Sequence, residues 1–344
     1  MQVVTSEFVK GKKVLLRYDI DVALRLVSLA QGKLGVGEDF KLRAGLDTLR
    51  LCLENADKVV VVGHLGRPEG GQKSPEMSAK PIQEWLQQVL GITVDFAESL
   101  EQAAASTNKI VLLDNIRFFP GEAEGDMDFA RKLAGLGEVY INEAFSSYNK
   151  GASTTVVPTL LPHAAGIHFA QEVEKLTEVR DDPKKPFIAI MGGAKVVDKL
   201  PVITILAGKA DAVLVGGKLI SEIREQNLQM PKNVMVGMLS EDGLDISSQA
   251  TQAWGDLISR AAEIIWNGPV GKFEDPKNNQ TEKIAHMILD SAAEVVIGGG
   301  DSVAALGQYG LLQKAEEKAF VSVGGGAMLK FLAEGTLPTI EVLQ

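Results

Sequence analysis

The 344-residue chain has a single cysteine, Cys52, which excludes an intrachain disulfide and any metal centre built from several thiolates. No run of 18 or more apolar residues is present to span a bilayer. The opening MQVVTSEFVKGKK also lacks the apolar stretch of a signal peptide. These absences lead to the expectation of a soluble, cytoplasmic protein in a reducing compartment. Positive charge is short as well: 35 Lys and Arg stand against 45 Asp and Glu, a formal net charge of -10. General nucleic-acid and anionic-membrane partners need a broad basic face and are disfavoured, whereas small anions need only local cations. Two familiar phosphate signatures are missing too. Neither G-x-x-x-x-G-K-[ST] nor G-x-G-x-x-G occurs, which argues against ordinary P-loop NTPases and dinucleotide-binding dehydrogenases.

What is present is a rhythm of short, continuous apolar runs ending in Gly, charged or amide residues. In the first half these are residues 13–21, 58–66, 109–118 and 138–147; in the second, 187–195, 212–219, 263–271, 294–302 and 319–327. Continuous runs, unlike alternating ones, suit strands buried on both faces of a parallel sheet. Helical patterns lie between them: Ile82, Trp85, Leu86, Val89 and Leu90 follow Pro81 and stop at Gly91, and Leu42, Leu46, Leu49 and Leu53 form a similar stripe. Alternating strands and helices, at this length, predict two doubly wound α/β domains, with ligands beyond the carboxyl ends of the strands. The charged segment 171–186, closing on Pro186, reads as a helix running into a linker. Two domains joined there, with strand ends facing a shared cleft, are the economical arrangement.

The strand-end residues fall into two sets. The first half carries Asp19, Asp21, His64, Arg67, Arg117 and Lys150. The second carries glycine pairs and triplets with Lys195, Lys199, Asn267 and Asp301. Singly, each cation reads as a solvated loop charge. Together, three of them in an acidic half point to an anionic substrate, because Arg is shaped for phosphate or carboxylate. The triplets Gly298–Gly300 and Gly324–Gly326 each precede a helical pattern, the arrangement of a phosphate cradle. Asp301 suits either a helix cap or a magnesium ion on a nucleotide. His163, His168 and His286 have no comparable company, and Trp85, Trp254 and Trp266 read as packing residues.

The segments KKVLLRYDID, GHLGRPEG, LLDNIRFFPGE, VYINEAF, MGGAKVVDKL, IIWNGPVGKFE, VIGGGDSVAAL and SVGGGAMLKFL occur in an order and spacing that resemble phosphoglycerate kinase over nearly the whole chain. The resemblance implies a phosphoglycerate-binding domain over 1–170 with the tail 332–344 returning to it. It also implies a hinge helix over 171–186, a nucleotide domain over 187–331 and a cytoplasmic monomer. The implied reaction moves a phosphoryl group between 3-phosphoglycerate with MgATP and 1,3-bisphosphoglycerate with MgADP. By position, the resemblance assigns acceptor binding to Asp19, Asp21, Lys41, His64, Arg67, Arg117 and Lys150. It assigns nucleotide binding to Gly193, Lys195, Lys199, Gly216, Gly217, Asn267, Pro269, Glu274, Gly299, Gly300, Asp301 and Ser302, with Asp301 as the Mg²⁺ carboxylate. Lys41, Lys199, Gly325 and Gly326 accompany the transferred group.

The chain departs from the family at sensitive places. Lys41 and Lys150 stand where two arginines are usual, the histidines flanking the second are absent, Asp21 replaces an asparagine, and Lys218 replaces a third glycine. A stretch between Gly217 and Trp266 is shorter, and residues 25–37 are somewhat longer. Lysine keeps charge without the planar fork, and one lost transition-state contact costs roughly 2–4 kcal/mol. A slow kinase is therefore expected. The alternatives are an inactive nucleotide-responsive binding protein and a kinase for another acid phosphate.

Overall fold

Each of the nine apolar runs becomes a strand in the computed structural model, which describes residues 1–28, 33–68, 71–194 and 196–344. The chain divides into two units, residues 1–172 with 337–344, and residues 173–336. The strands of the first are β1 (Lys13–Arg17), β2 (Leu24–Ser28), β3 (Lys33–Val36), β4 (Lys58–Val62), β5 (Asp95–Ala97), β6 (Ile110–Leu113), β7 (Val139–Asn142) and β8 (His163–Ala165). Among the described residues, six of them form a parallel sheet in the order β5-β6-β4-β1-β7-β8. Val59–Val62 and Ile110–Leu113 are wholly buried, as strands covered on both faces must be. Register sets Arg17 beside Val62 and Asn142, so residues 18–21, 63–67 and 143–150 leave the same edge of the sheet.

The second unit holds β9 (Phe187–Met191), β10 (Ala212–Val215), β11 (Val234–Val236), β12 (Glu263–Asn267), β13 (Glu294–Gly298) and β14 (Phe320–Ser322). They form a parallel sheet ordered β11-β10-β9-β12-β13-β14. The chain direction across the sheet reverses between β9 and β12, the place where open α/β sheets form a ligand crevice. Asn267 pairs in register with Met191 and Gly298, so the loops after β9, β12 and β13 emerge together.

Two local expectations are corrected, and a segment whose role was left open takes a definite form. The leucine stripe 42–53 is not one helix: Phe40–Ala44 and Leu46–Asn55 are separated at Gly45, where a Cβ would stand 2.5 Å from the Tyr18 ring. In the longer segment 25–37, β2 and β3 pair as a two-stranded antiparallel ribbon, and residues 29–32 lie outside the described residues. The charged segment after residue 170 belongs to a helix over Ile167–Asp181, which starts earlier than its sequence pattern suggests. Its N-terminal N–H groups find distant acceptors: Ile167 donates to Thr48 Oγ1 at 2.7 Å, and His168 and Phe169 donate to the Glu143 carboxylate. Glu143 is fully buried there, and burial pushes its carboxyl up to about 8 against the pull of His168. No helix among the described residues is long and apolar enough to cross a membrane.

Candidate active site

In the first unit, the loops beyond β1, β4, β6 and β7 enclose a cavity of about 330 Å³ whose walls include Arg17, Asp21, His64, Arg67, Arg117 and Lys150. Asn115 splices two of those loops. Its Oδ1 accepts the Leu65 and Arg117 N–H groups, and its Nδ2 donates to the carbonyls of Leu65 and Met77. Arg117 then donates to the Gly66 carbonyl, and the Gly66 N–H donates to Asp21 Oδ1 at 2.9 Å. His64 Nε2 lies 3.6 Å from Asp21 Oδ2. Burial alone would raise the Asp21 carboxyl. Hydrogen bonds from His64 and the Gly66 N–H, with the Lys41 charge, overcome it and hold the group well below the usual carboxylate range. His64 is pushed below its ordinary value by burial and by the Arg17 and Arg117 cations, against the pull of Asp21. A larger neighbouring cavity of about 800 Å³ shares Arg67 and Arg117 and is walled by Pro68, Phe118 and Phe119.

Two other sequence-assigned residues sit at the border of this cluster. Lys41 is half-buried and its Nζ donates to the Asp21 carbonyl at 3.1 Å. Arg43 faces away, its Nε 2.8 Å from Asp39 Oδ1, so the two cations occupy different helix faces. Asp19 is buried, and its carboxylate accepts the Ser146 hydroxyl at 2.5 Å. The residue that sequence reasoning missed is Arg17. It reads as the end of an apolar strand, yet it is 1% exposed and reaches His64. A charged residue closing the continuous run KVLLR was the available signal.

In the second unit, backbone bonds stitch the strand-end loops together. Gly193 donates to the Pro269 carbonyl at 2.7 Å and Gly217 to the Val270 carbonyl at 2.7 Å. Gly216 is buried at the close of β10. At Gly217 φ is +66, and a Cβ would come within 2.9 Å of Gly193, so glycine is required by both conformation and space. Lys199 crosses this floor, donating to the Gly192 carbonyl and, at 3.2 Å, to Asn267 Oδ1. Burial pushes Lys199 down to about 8, against the charge of Asp301. Asn267 is 3% exposed and its Nδ2 has no partner; a Cβ on Gly299 would stand 3.4 Å from it. Asp301 and Gly300 are exposed in the first turn of the helix Gly300–Gln308.

A second helix, Gly325–Glu334, begins beside the first; a Cβ on Gly325 would lie 2.4 Å from Gly299 Cα. Gly326 is exposed in that first turn. Ser302 is fully buried, its hydroxyl taking the Gly268 N–H and donating to the Gly298 carbonyl. Glu274 is exposed on the loop after β12, and Lys195 lies outside the described residues.

One α/β unit with a cation-walled cavity and another with a half-buried lysine among glycine-rich strand ends define a class, two-domain enzymes that handle anionic substrates. The comparisons identify the family. A family model described as phosphoglycerate kinase matches residues 4–235 and 220–335, so the chain belongs to the phosphoglycerate kinase family. The two matched ranges overlap over 220–235, inside the stretch expected to be shortened. The chain is 34% identical over 384 aligned positions to the phosphoglycerate kinase of Desulfovibrio desulfuricans, covering 97% of this chain and 96% of that one. It is 35% identical over 386 positions to that of Rubrobacter xylanophilus, with the same coverages. The phosphoglycerate kinase structure from Coxiella burnetii superposes with a TM-score of 0.79 at 26% identity, covering 97% of this chain and 96% of that one. The fold is shared with the Pyrococcus horikoshii enzyme at a TM-score of 0.81, 23% identity and coverages of 98% and 96%.

Proposed function

We propose that the chain moves a phosphoryl group from MgATP to the carboxylate of 3-phosphoglycerate, giving 1,3-bisphosphoglycerate and MgADP, and runs the reverse reaction. The observation that carries the reading is the convergence of His64, Arg67, Arg117 and Lys150 on one cavity beyond the strand ends, in a chain of net charge -10. Arg67, Arg117 and Lys150 hold the charged ends of the acceptor, with His64 beside them on the same wall. Asp21 fixes the Gly66 turn that carries His64 and Arg67. The acceptor carboxylate is already ionised at neutral pH, so no general base is required. Rate enhancement then rests on in-line positioning and on neutralising charge on the group in transit. Lys41, Lys199 and the first N–H groups of the helix at Gly325 and Gly326 supply that neutralisation. The unpartnered Asn267 Nδ2, beside Gly299, is a donor facing the phosphate chain.

Asp301 fits a magnesium ion that arrives on the nucleotide. It is an exposed hard-oxygen donor within electrostatic reach of Lys199, and no cluster of three or more His, Cys, Asp or Glu surrounds it among the described residues. One carboxylate plus phosphate oxygens is the usual manner of Mg²⁺ binding. When bound, the ion neutralises phosphate charge. The same reading makes the chain a cytoplasmic monomer. Lys199→Ala is expected to abolish turnover with the circular dichroism spectrum unchanged; unchanged turnover would overturn the assignment.

A further inference from the structure

We propose that Arg17 is a positioning residue that holds His64 as a neutral imidazole with its proton on Nε2, directed at Asp21 and the acceptor cavity. The inference rests on the reading above for its catalytic meaning but not for its geometry. Arg17 closes β1 with three of its nitrogens engaged. Nη1 donates to the Tyr18 carbonyl at 2.9 Å, Nε to Ser153 Oγ at 3.1 Å, and Nη2 meets His64 Nδ1 at 2.8 Å. A guanidinium has only donors and does not give up its proton in proteins, so Nδ1 must present a lone pair. The ring proton is left on Nε2, 3.6 Å from Asp21 Oδ2.

Protonating Nδ1 would place N–H against N–H and bring two cations within 2.8 Å of each other, with the Arg17 side chain buried. Of the other charged groups around the ring, Asp21 favours the charged form and the neighbouring cations oppose it. Arg117 adds a further positive charge, and Arg67 and Lys150 stand on the same cavity. Ser147 Oγ lies 3.3 Å from Nδ1 and can donate to the same lone pair. Asp21 is the carboxylate facing the ring, and it faces Nε2. The Arg17 charge is balanced without a direct ion pair, through Ser153, whose hydroxyl donates to the buried Glu122. Arg17 therefore makes His64 a directional donor that stays neutral through the range in which histidines ordinarily titrate.

The test begins on the unliganded wild-type protein, labelled with ¹⁵N-histidine, with His64 assigned by its loss in His64→Gln. Two-bond ¹H–¹⁵N spectra between about pH 5.5 and pH 8 are expected to show a bare Nδ1 and a protonated Nε2 throughout. A proton on Nδ1, or titration near about pH 6.5, overturns the proposal. Kinetics then separate positioning from simple structural support. In Arg17→Met, His64 is free to take a second proton, and a cation there favours an anionic acceptor. The ratio of variant to wild-type kcat/KM for 3-phosphoglycerate cancels the substrate's own titration. It is expected to rise severalfold as pH falls through the histidine range. A ratio depressed equally at every pH refutes positioning. If Arg17→Met does not fold, the wild-type spectra still decide. If neither form turns over, the kinase reading fails while the tautomer stands or falls by the spectra.

Discussion

Lys199 offers the most quantitative handle on the nucleotide side. Its ammonium is pushed down to about 8 because it is buried beneath the Gly192 carbonyl and Asn267, with Asp301 as the opposing charge. If the protonated form neutralises phosphate charge, kcat/KM for MgATP should fall above pH 8. At pH 9 roughly nine sites in ten would lack the proton, a loss of about tenfold from the plateau. ATP phosphates are fully ionised in this range and add no titration of their own. Lys199→Arg, with a guanidinium that does not deprotonate, should lower the plateau but remove the fall. Binding should also take up protons, because the incoming anion restores the ammonium. Calorimetry at pH 8 in buffers of different ionisation enthalpy should show uptake of up to about half a proton per ATP.

The stability consequence has a definite sign. Below pH 8 both folded and unfolded chains hold the proton, and the cost of burying it is fully present. Between pH 8 and about 10.5 the unfolded chain binds more protons, so stability rises with pH by up to about 3 kcal/mol from this group. A profile flat to pH 9 without proton uptake, or the same fall in Lys199→Arg, would refute the reasoning.

Further outcomes follow from the two sites. Gly325→Ala drives a Cβ to 2.4 Å from Gly299 Cα and should destabilise the second unit by several kcal/mol, whereas a Cβ on Gly300 meets nothing within 4 Å. Gly300→Ala should therefore keep its melting temperature, yet weaken nucleotide binding if phosphate approaches that helix start; unchanged affinity, measured by calorimetry, would remove Gly300 from the site. Asp21→Asn deletes a carboxylate from the cavity wall, and removing about 1–2 kcal/mol of repulsion should lower KM for 3-phosphoglycerate roughly tenfold. Restoring arginine at Lys41 and Lys150 together should raise kcat/KM by up to about 10²–10³ if the missing forks limit the rate. No gain in steady-state assays would show that the lysines already suffice.

The sheets were legible because their strands are buried on both faces, which leaves continuous runs such as 58–62 and 263–267 in the sequence. Asp95–Ala97 and His163–Ala165 are three-residue strands without a continuous β-branched run and escaped the pattern, whereas the equally short Phe320–Ser322 was read from its Gly-terminated run. The helix at Ile167 begins where it does because Thr48 and Glu143, far away in sequence, accept its first N–H groups. At Gly45, where the leucine stripe breaks, a Cβ would meet the Tyr18 ring, again a distant partner. His64, Arg67 and Arg117 could be read as a group from their shared place at strand ends. Their geometry could not, because it passes through Asn115 and Arg17, whose roles depend on which loops become neighbours.

The most direct test is steady-state phosphorylation of 3-phosphoglycerate by MgATP, followed through coupled NADH oxidation. A Lys199→Ala, Asp301→Ala double variant purified identically serves as control for host enzyme. Turnover in the wild type and none in the variant is the predicted result, and it would show that Lys41 and Lys150 support catalysis. Wild-type turnover no higher than the variant's, with nucleotide still bound, would contradict the account.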